Sequence, residues 1–352
     1  MRAAAPVAGP GADRPESGLA RTNGRRAAGW VVLFVVLVAV MFGSVLVGSE
    51  HIALHTVWDA LVSFDPAVID HHSIRARISR TLLGVLVGLA LGVAGALIQA
   101  MTRNPLADPG ILGVNAGAAF SVALAVGVFG VSSIWGNIWC AFLGAIAATT
   151  VVYAVGARGA SGATPVRLTL AGMAVSALLV GVTTALILVS PVAFDQMRYW
   201  SAGSIAGRGM DVPLAIAPFV VAGVVLAAVV ARPLNAIALG DDLARSLGAN
   251  VVRTRLIGIA SVTLLCGAAT AAAGPISFVG LMVAHVCRWI VGPEQRWIFA
   301  YTLVAAPILL VTSDIVARVI MTKNELPVGV ITAFVGAPVL IALVRRRKAS
   351  TL

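Results

Sequence analysis

Charged residues are spaced so widely along this chain that most of it falls into uncharged apolar runs. Between Arg80 and Arg103 lie 22 residues without a charge. A helix of that length, rising about 1.5 Å per residue, covers a hydrocarbon core about 30 Å thick. Comparable runs cover residues 30–49, 81–102, 109–157, 168–194, 212–231, 256–287, 297–313 and 326–344. The run at 109–157 is 49 residues long and must hold two helices, split near 130–137. The run from 256, extended to 291, holds two shorter helices, with the break at Gly274-Pro275. Proline cannot continue a helix without losing a backbone bond. The total is ten helices, which places both termini on one side. Continuous runs, rather than alternating segments of about ten residues, exclude a β-barrel.

Composition agrees: 59% of residues are hydrophobic and 11% charged, where soluble domains carry about 25%. The pattern predicts an all-α polytopic membrane protein. The net charge of +11 lies at the ends of apolar runs, where it orients helices against lipid headgroups, and does not point to nucleic acid. Cys140, Cys266 and Cys287 all fall inside apolar runs, with no CxxC or Cys/His metal spacing. Residues 1–29, rich in Gly, Ala, Pro and Arg, read as a disordered cytoplasmic tail, and 346–352 as a second tail. Arg25-Arg26 imitates a twin-arginine signal, but no A-x-A site follows, so 30–49 is expected to be a retained first helix.

With the N-terminus in the cytoplasm, 18 Lys/Arg fall inside and seven outside: Arg75, Arg77, Arg80, Arg198, Arg208, Arg318 and Lys323. That asymmetry sets the orientation and makes the external arginines worth explaining. The longest external segment, about 50–80, holds His51, His55, His71 and His72. No acidic or Cys partner stands at close ligand spacing, so interfacial polar residues are expected there rather than a metal site.

Three features suggest more than an anchor. The internal loop 232–255 carries Pro233, expected to stop one helix, and Asp241 and Asp242, expected to start another. Gly248 would end it. The enclosed turns place Leu243 and Leu247 on one face, which needs an apolar groove or a membrane surface to bury in. Second, Asn104-Pro105, Asp108-Pro109-Gly110, Gly274-Pro275, and Leu326-Pro327 with Gly329 interrupt the spans in both halves, as in repeats packed around a pathway; close packing through small residues accounts for many of the 36 glycines without one. Third, Asp314 and Arg318 stand at i and i+4 near the outer end of a span, either an ion pair along one helix face or a functional pair. There is no GxxxxGK[ST] and no catalytic triad or carboxylate pair.

The motifs RISRTLLGVLVGLALGVAGALIQ from Arg77, RNPLADPGILGVNAGA from Arg103, RYWSAGSIAG from Arg198, ALGDDLARSLG from Ala238, GPISFVGLMVAHVCRWIVG from Gly274 and SDIVARVIMTKNELPVGVITAFVGAPVLIAL from Ser313 occur in the order seen in one family. The chain resembles the permease subunits of ABC importers for iron-siderophores, haem and vitamin B12 (the FecCD type). The resemblance covers about residues 30–345 and implies the type II importer permease architecture in the bacterial cytoplasmic membrane. The implied partners are a second permease, identical or paralogous, and two ABC ATPase subunits that bind ATP and Mg. A lipoprotein or periplasmic substrate-binding protein docks outside. The permease itself is not an enzyme and carries no cofactor. By the same resemblance, Gly240, Asp241, Asp242, Leu243, Ala244, Arg245, Leu247 and Gly248 contact the ATPase. Arg77, Arg80 and Arg318 meet glutamates of the binding protein. Ala163, Thr164, Pro165 and Val166 form a cytoplasmic gate, with Pro165 in place of a small polar residue. An external half-helix at 195–206 places Trp200 and Ser204 on the vestibule. The family's R-x-P-R is here Arg77-Ile78-Ser79-Arg80, without the proline.

The expected cargo is a ferric siderophore, with cobalamin or haem as alternatives. An ion-coupled secondary transporter would want buried mid-span carboxylates, and the spans hold none before Asp314. A membrane-embedded enzyme would need a His/Asp/Glu cluster, and only His285 lies inside an apolar run.

Overall fold

Backbone groups in lipid must find partners within their own segment, and the apolar runs do so as helices. The computed structural model describes residues 19–20, 22–48, 54–158, 164–320 and 325–349. The elements are α1 (Asn23–Leu46), α2 (Leu54–Val62), α3 (Ile69–Thr102), a 3-10 turn (Pro109–Leu112), α4 (Val114–Gly127), α5 (Ile134–Gly156), α6 (Pro165–Val189), α7 (Pro191–Trp200), α8 (Asp211–Ala238), α9 (Asp241–Ser246), α10 (Val251–Ala273), α11 (Val279–Val291), α12 (Gln295–Ile320) and α13 (Val328–Ala349). Among the described residues, seven helices (α1, α3, α5, α6, α8, α10 and α12) are long and apolar enough to cross a membrane, and α4, α11 and α13 are shorter apolar helices. Each of the ten segments expected from the charge-free runs contains one of them.

Several boundaries differ from the sequence expectation, each for a local reason. The first helix begins at Asn23, where the Thr22 hydroxyl accepts from Arg25 N at 3.3 Å; residues 1–18 and 21 lie outside the described residues. The helix that carries the second charge-free run starts at Ile69, ahead of residue 81, with Arg77 and Arg80 buried against the protein on its first turns. Pro233 does not stop its helix: α8 runs through it to Ala238, and Gly240 at φ 113° ends the segment. Proline inside a membrane helix is tolerated where neighbours re-satisfy the freed groups. The external half-helix lies at Pro191–Trp200, not at 195–206. Ser190 caps it, accepting from Ala193 N at 3.2 Å, with Pro191 in the first turn.

Helices α3 and α10 form the centre. In each, 78% of the apolar stretch is buried, against 11% in α1 and α6, which present their sides to lipid. Small residues along α3 let its neighbours approach. Gly88 faces the Ala306–Pro307 backbone of α12, Gly92 faces Thr302 and Ala306, and Gly95 lies directly against the Gly280 backbone of α11. Without a hydrophobic driving force between helices in lipid, such contacts supply the packing. A larger side chain at Gly95 would overlap backbone, which cannot move aside as a side chain can. Gly95→Leu is therefore expected to cost at least the roughly 1–3 kcal/mol of ordinary overpacking and to abolish a monodisperse peak in detergent size-exclusion chromatography. A wild-type elution profile and melting temperature would contradict this packing.

Two of the expected interruptions, Gly274-Pro275 and Leu326-Pro327 with Gly329, meet the turn after α7. The turn after α7, the Gly274-Pro275 break between α10 and α11, and the start of α13 interlock. Ser204 N donates to Ala273 O at 2.7 Å and Gly329 N to Gly203 O at 3.0 Å. Gly203 (φ 70°) lies against Pro275 O, and Gly274 (φ 75°) against Trp200 O. The left-handed φ and the absent Cβ are both required here.

Candidate functional site

At one end of the bundle, where α1 finishes and α3 begins, a cleft of about 810 Å³ is lined by five arginines (Arg75, Arg77, Arg80, Arg208 and Arg318) and by the carboxylates Asp211 and Glu325. Its floor is a buried ion-pair network. Arg80 donates from Nε and Nη2 to Asp314 at 2.9 and 2.7 Å, and from Nη1 to Glu325 at 2.5 Å. Arg318 pairs with the same Asp314 at 3.0 Å. Arg318 also donates to Ser44 O and Val47 O at 2.9 and 3.1 Å, and to Ser44 Oγ at 2.7 Å. Arg77 donates to Val45 O and Leu46 O, both at 3.2 Å. Two guanidinium groups thus bind the last carbonyls of α1, which have no intrahelical partner and carry the negative end of its dipole. Asp314 is 1% exposed and Arg318 3%. Arg77, Arg80 and Arg318 line one cleft, and all three already have partners in this chain. The i,i+4 pair of Asp314 and Arg318 is real, but Asp314 serves Arg80 more closely.

Where the family has a proline, Ser79 continues α3 unbroken and its hydroxyl donates to Arg208 O at 2.9 Å. Arg208 itself lies between α7 and α8, and burial lowers its guanidinium pKa from the ordinary value. The histidines near this face tie down the turn before α3. His71 Nδ1 accepts from Asp65 N at 2.9 Å, and the ring of His72 packs on Phe64. Among the described residues no group of three His, Cys, Asp or Glu could hold a metal ion; His51 lies outside them.

A second cavity of about 450 Å³ adjoins the cleft and shares Arg208 and Glu325 with it. Trp200 and Ser204 line it, together with Asn137 and Gln196. Both vestibule residues expected from the sequence therefore face one cavity, although the helix carrying Trp200 is displaced from its expected place.

The opposite end carries α9. Gly240 at φ 113° and Gly248 at φ 84° bound it. Asp241 accepts from Arg255 Nη2 at 2.8 Å and from Arg103 Nη2 at 3.3 Å, which ties the short helix to α10 and to the end of α3. Asp242 pairs along the surface with Arg245 at 3.0 Å. Ala244 is fully buried against the bundle, while Leu243 and Leu247 are 49% and 63% exposed. Two leucines thus point outward from a helix too short to persist unless it is held in place. At the neighbouring end of α6, Thr164 Oγ1 accepts from Arg167 N at 3.4 Å, Pro165 occupies the first turn and Val166 is exposed. Pro165 is thus a helix-start residue. Ala163 lies outside the described residues.

Between these ends, Asp108 caps the 3-10 turn, accepting from Gly110 N at 2.8 Å. Residues that sequence reasoning missed are Ser44, Arg103, Arg208, Arg255 and Glu325. Of these, only Arg208 carried a signal, as an external arginine without a role.

Residues 35–346 match the model of the FecCD transport family. The chain is 44% identical over 330 residues to the ferric enterobactin transport system permease protein FepD of Escherichia coli (strain K12), covering 94% of this chain and 97% of that one. It is 38% identical to YfiZ, a siderophore transport system permease protein of Bacillus subtilis (strain 168), covering 90% and 96%. Its fold superimposes with a TM-score of 0.80 on an inward-facing metal-chelate type ABC transporter, at 25% identity and covering 91% of this chain and 99% of that one. A family match over most of the chain, together with the ordered motifs and, among the described residues, seven long and three shorter apolar helices, makes this a multi-pass membrane protein of the bacterial cytoplasmic membrane: the chain belongs to the FecCD transport family of ABC importer permeases.

Proposed function

We propose that this chain is one permease subunit of an ATP-driven importer that carries a ferric siderophore into the cytoplasm. The observation that carries the proposal is the construction of α9. Its outward leucines form an apolar face suited to a groove on another protein, and Asp241 links them to the two central helices. An ATPase subunit closing around ATP and Mg would press on this helix and move α3 and α10 together. Two such ATPase subunits would serve two permeases, the second an identical chain or a paralogue. Because this chain has no P-loop, ATP chemistry belongs to those partners.

On the other face, an extracytoplasmic binding protein would place acidic side chains in the arginine-lined cleft and release cargo toward Trp200 and Ser204. Thr164, Pro165 and Val166 would stand at the inner gate. The 44% identity to a ferric enterobactin permease favours a siderophore over haem or cobalamin. The buried carboxylate Asp314 is neutralised by two arginines, which disfavours ion-coupled transport through it. Cells lacking the chain are expected to lose uptake of radiolabelled ferric siderophore while keeping uptake of haem iron, ferric citrate and labelled cobalamin. Selective loss of haem or cobalamin uptake would reassign the cargo.

A further inference from the structure

We propose that Arg208 is a specificity-determining residue that favours anionic over neutral iron chelates at the passage from the outer cleft to the inner cavity. The proposal deepens the import function above and rests on it.

Four of the five arginines lining the cleft are engaged within the chain. Arg80 and Arg318 are held by Asp314, Arg77 by α1 carbonyls, and Arg75 lies over the Phe64 ring at 5.1 Å. Arg208 differs. Its guanidinium makes no hydrogen bond or ion pair among the described residues, and its Nε is buried without a partner. It is also the one arginine that lines both the 810 Å³ cleft and the 450 Å³ cavity. Of the two carboxylates lining the cleft, Glu325 pairs with Arg80 and Asp211 accepts from Trp135 Nε1, and neither forms an ion pair with Arg208. In the inner cavity the carboxamide oxygen of Asn137 is likewise buried without a partner, with Gln196 and the Ser204 hydroxyl nearby on the wall.

A partly desolvated cation with no ion-pair partner among the described residues stabilises an anion that reaches it, because its own desolvation cost has already been met by the fold. An iron(III) tris-catecholate is trianionic and presents acceptor oxygens around its metal. An iron(III) tris-hydroxamate has similar iron coordination and no net charge. Arg208 would bind the first through charge-assisted hydrogen bonds and contribute little to the second.

The test is equilibrium binding of the two radiolabelled chelates, iron(III) tris-catecholate and iron(III) tris-acetohydroxamate, to the assembled importer in nanodiscs without binding protein. In R208Q the Kd for the trianion is expected to rise about tenfold or more, R208K should recover most of that loss, and the neutral chelate should bind all three forms alike. Equal weakening of both chelates, no change in either, failure of R208K to recover, or no binding of the trianion to wild type would each overturn the proposal. Cellular uptake measured in parallel separates the two ideas. Siderophore import that persists in wild-type cells while the trianion does not bind removes the role of Arg208 and leaves the import function standing.

Discussion

Replacing Asp314 with asparagine is expected to destabilise the folded chain by about 3–5 kcal/mol, the usual cost of removing one partner from a buried ion pair. Asp314 is 1% exposed, accepts from Arg80 and forms an ion pair with Arg318. The isosteric asparagine keeps the volume and can still accept one hydrogen bond, but two buried cations would lose their common anion. Arg80 keeps Glu325 at its other nitrogen, and Arg318 keeps the carbonyls of α1. The cost is therefore unbalanced charge rather than lost contacts, so removing one of the cations should recover stability. Asp314→Asn is expected to lower the melting temperature of the purified protein, and Asp314→Asn with Arg318→Met to lie closer to wild type than the single variant. If the single variant melts with wild type, or the double variant is worse by the sum of its parts, the network does not hold α1, α3 and α12 together as described.

Changing Leu243 and Leu247 together to aspartate is expected to leave the bundle intact and to disconnect it from ATP hydrolysis. Both side chains are already exposed in the isolated subunit, so the fold loses little. In the assembly each leucine would bury roughly 1.5–3 kcal/mol of apolar surface, and a carboxylate in the same groove would be desolvated without a partner. Transport should fall by more than about 100-fold, with the permease still present in the membrane at wild-type level and the ATPase still hydrolysing ATP at its uncoupled rate. Membrane levels measured by immunoblot, alongside uptake, separate this outcome from misfolding. Uptake and transport-stimulated hydrolysis that both survive the double change would show that α9 is not where force enters.

The span pattern was legible because long apolar runs and charges at their ends follow directly from the cost of polar groups in lipid. The breaks at Gly274-Pro275 and near 130–137 were legible for the same reason that glycine and proline punctuate any helix. Where a single residue was over-read, tertiary context had the last word. Pro233 sits inside α8 because its neighbours accommodate it, and the start at Ser190-Pro191 was hidden in an otherwise uninterrupted apolar run. The short helix at Asp241–Ser246 was visible from its acidic start and closing glycine, but its anchoring was not. Arg255 lies 14 residues from Asp241 and Arg103 lies 138 away. The outer network was least legible of all, since Arg80 meets Asp314 across 234 residues and Glu325 across 245. One sequence shows that arginines lie outside against the charge rule; it does not show which carboxylates they meet.

The most direct measurement is accumulation of radiolabelled ferric siderophore in sealed vesicles containing the assembled importer and its binding protein, with ATP supplied on the ATPase side. Accumulation that requires hydrolysable ATP, and that collapses when Leu243 and Leu247 become aspartate, is the expected result. Accumulation that proceeds without ATP when an ion gradient is imposed, or that continues with ATP when this chain is omitted, would contradict an ATP-coupled permease acting through α9.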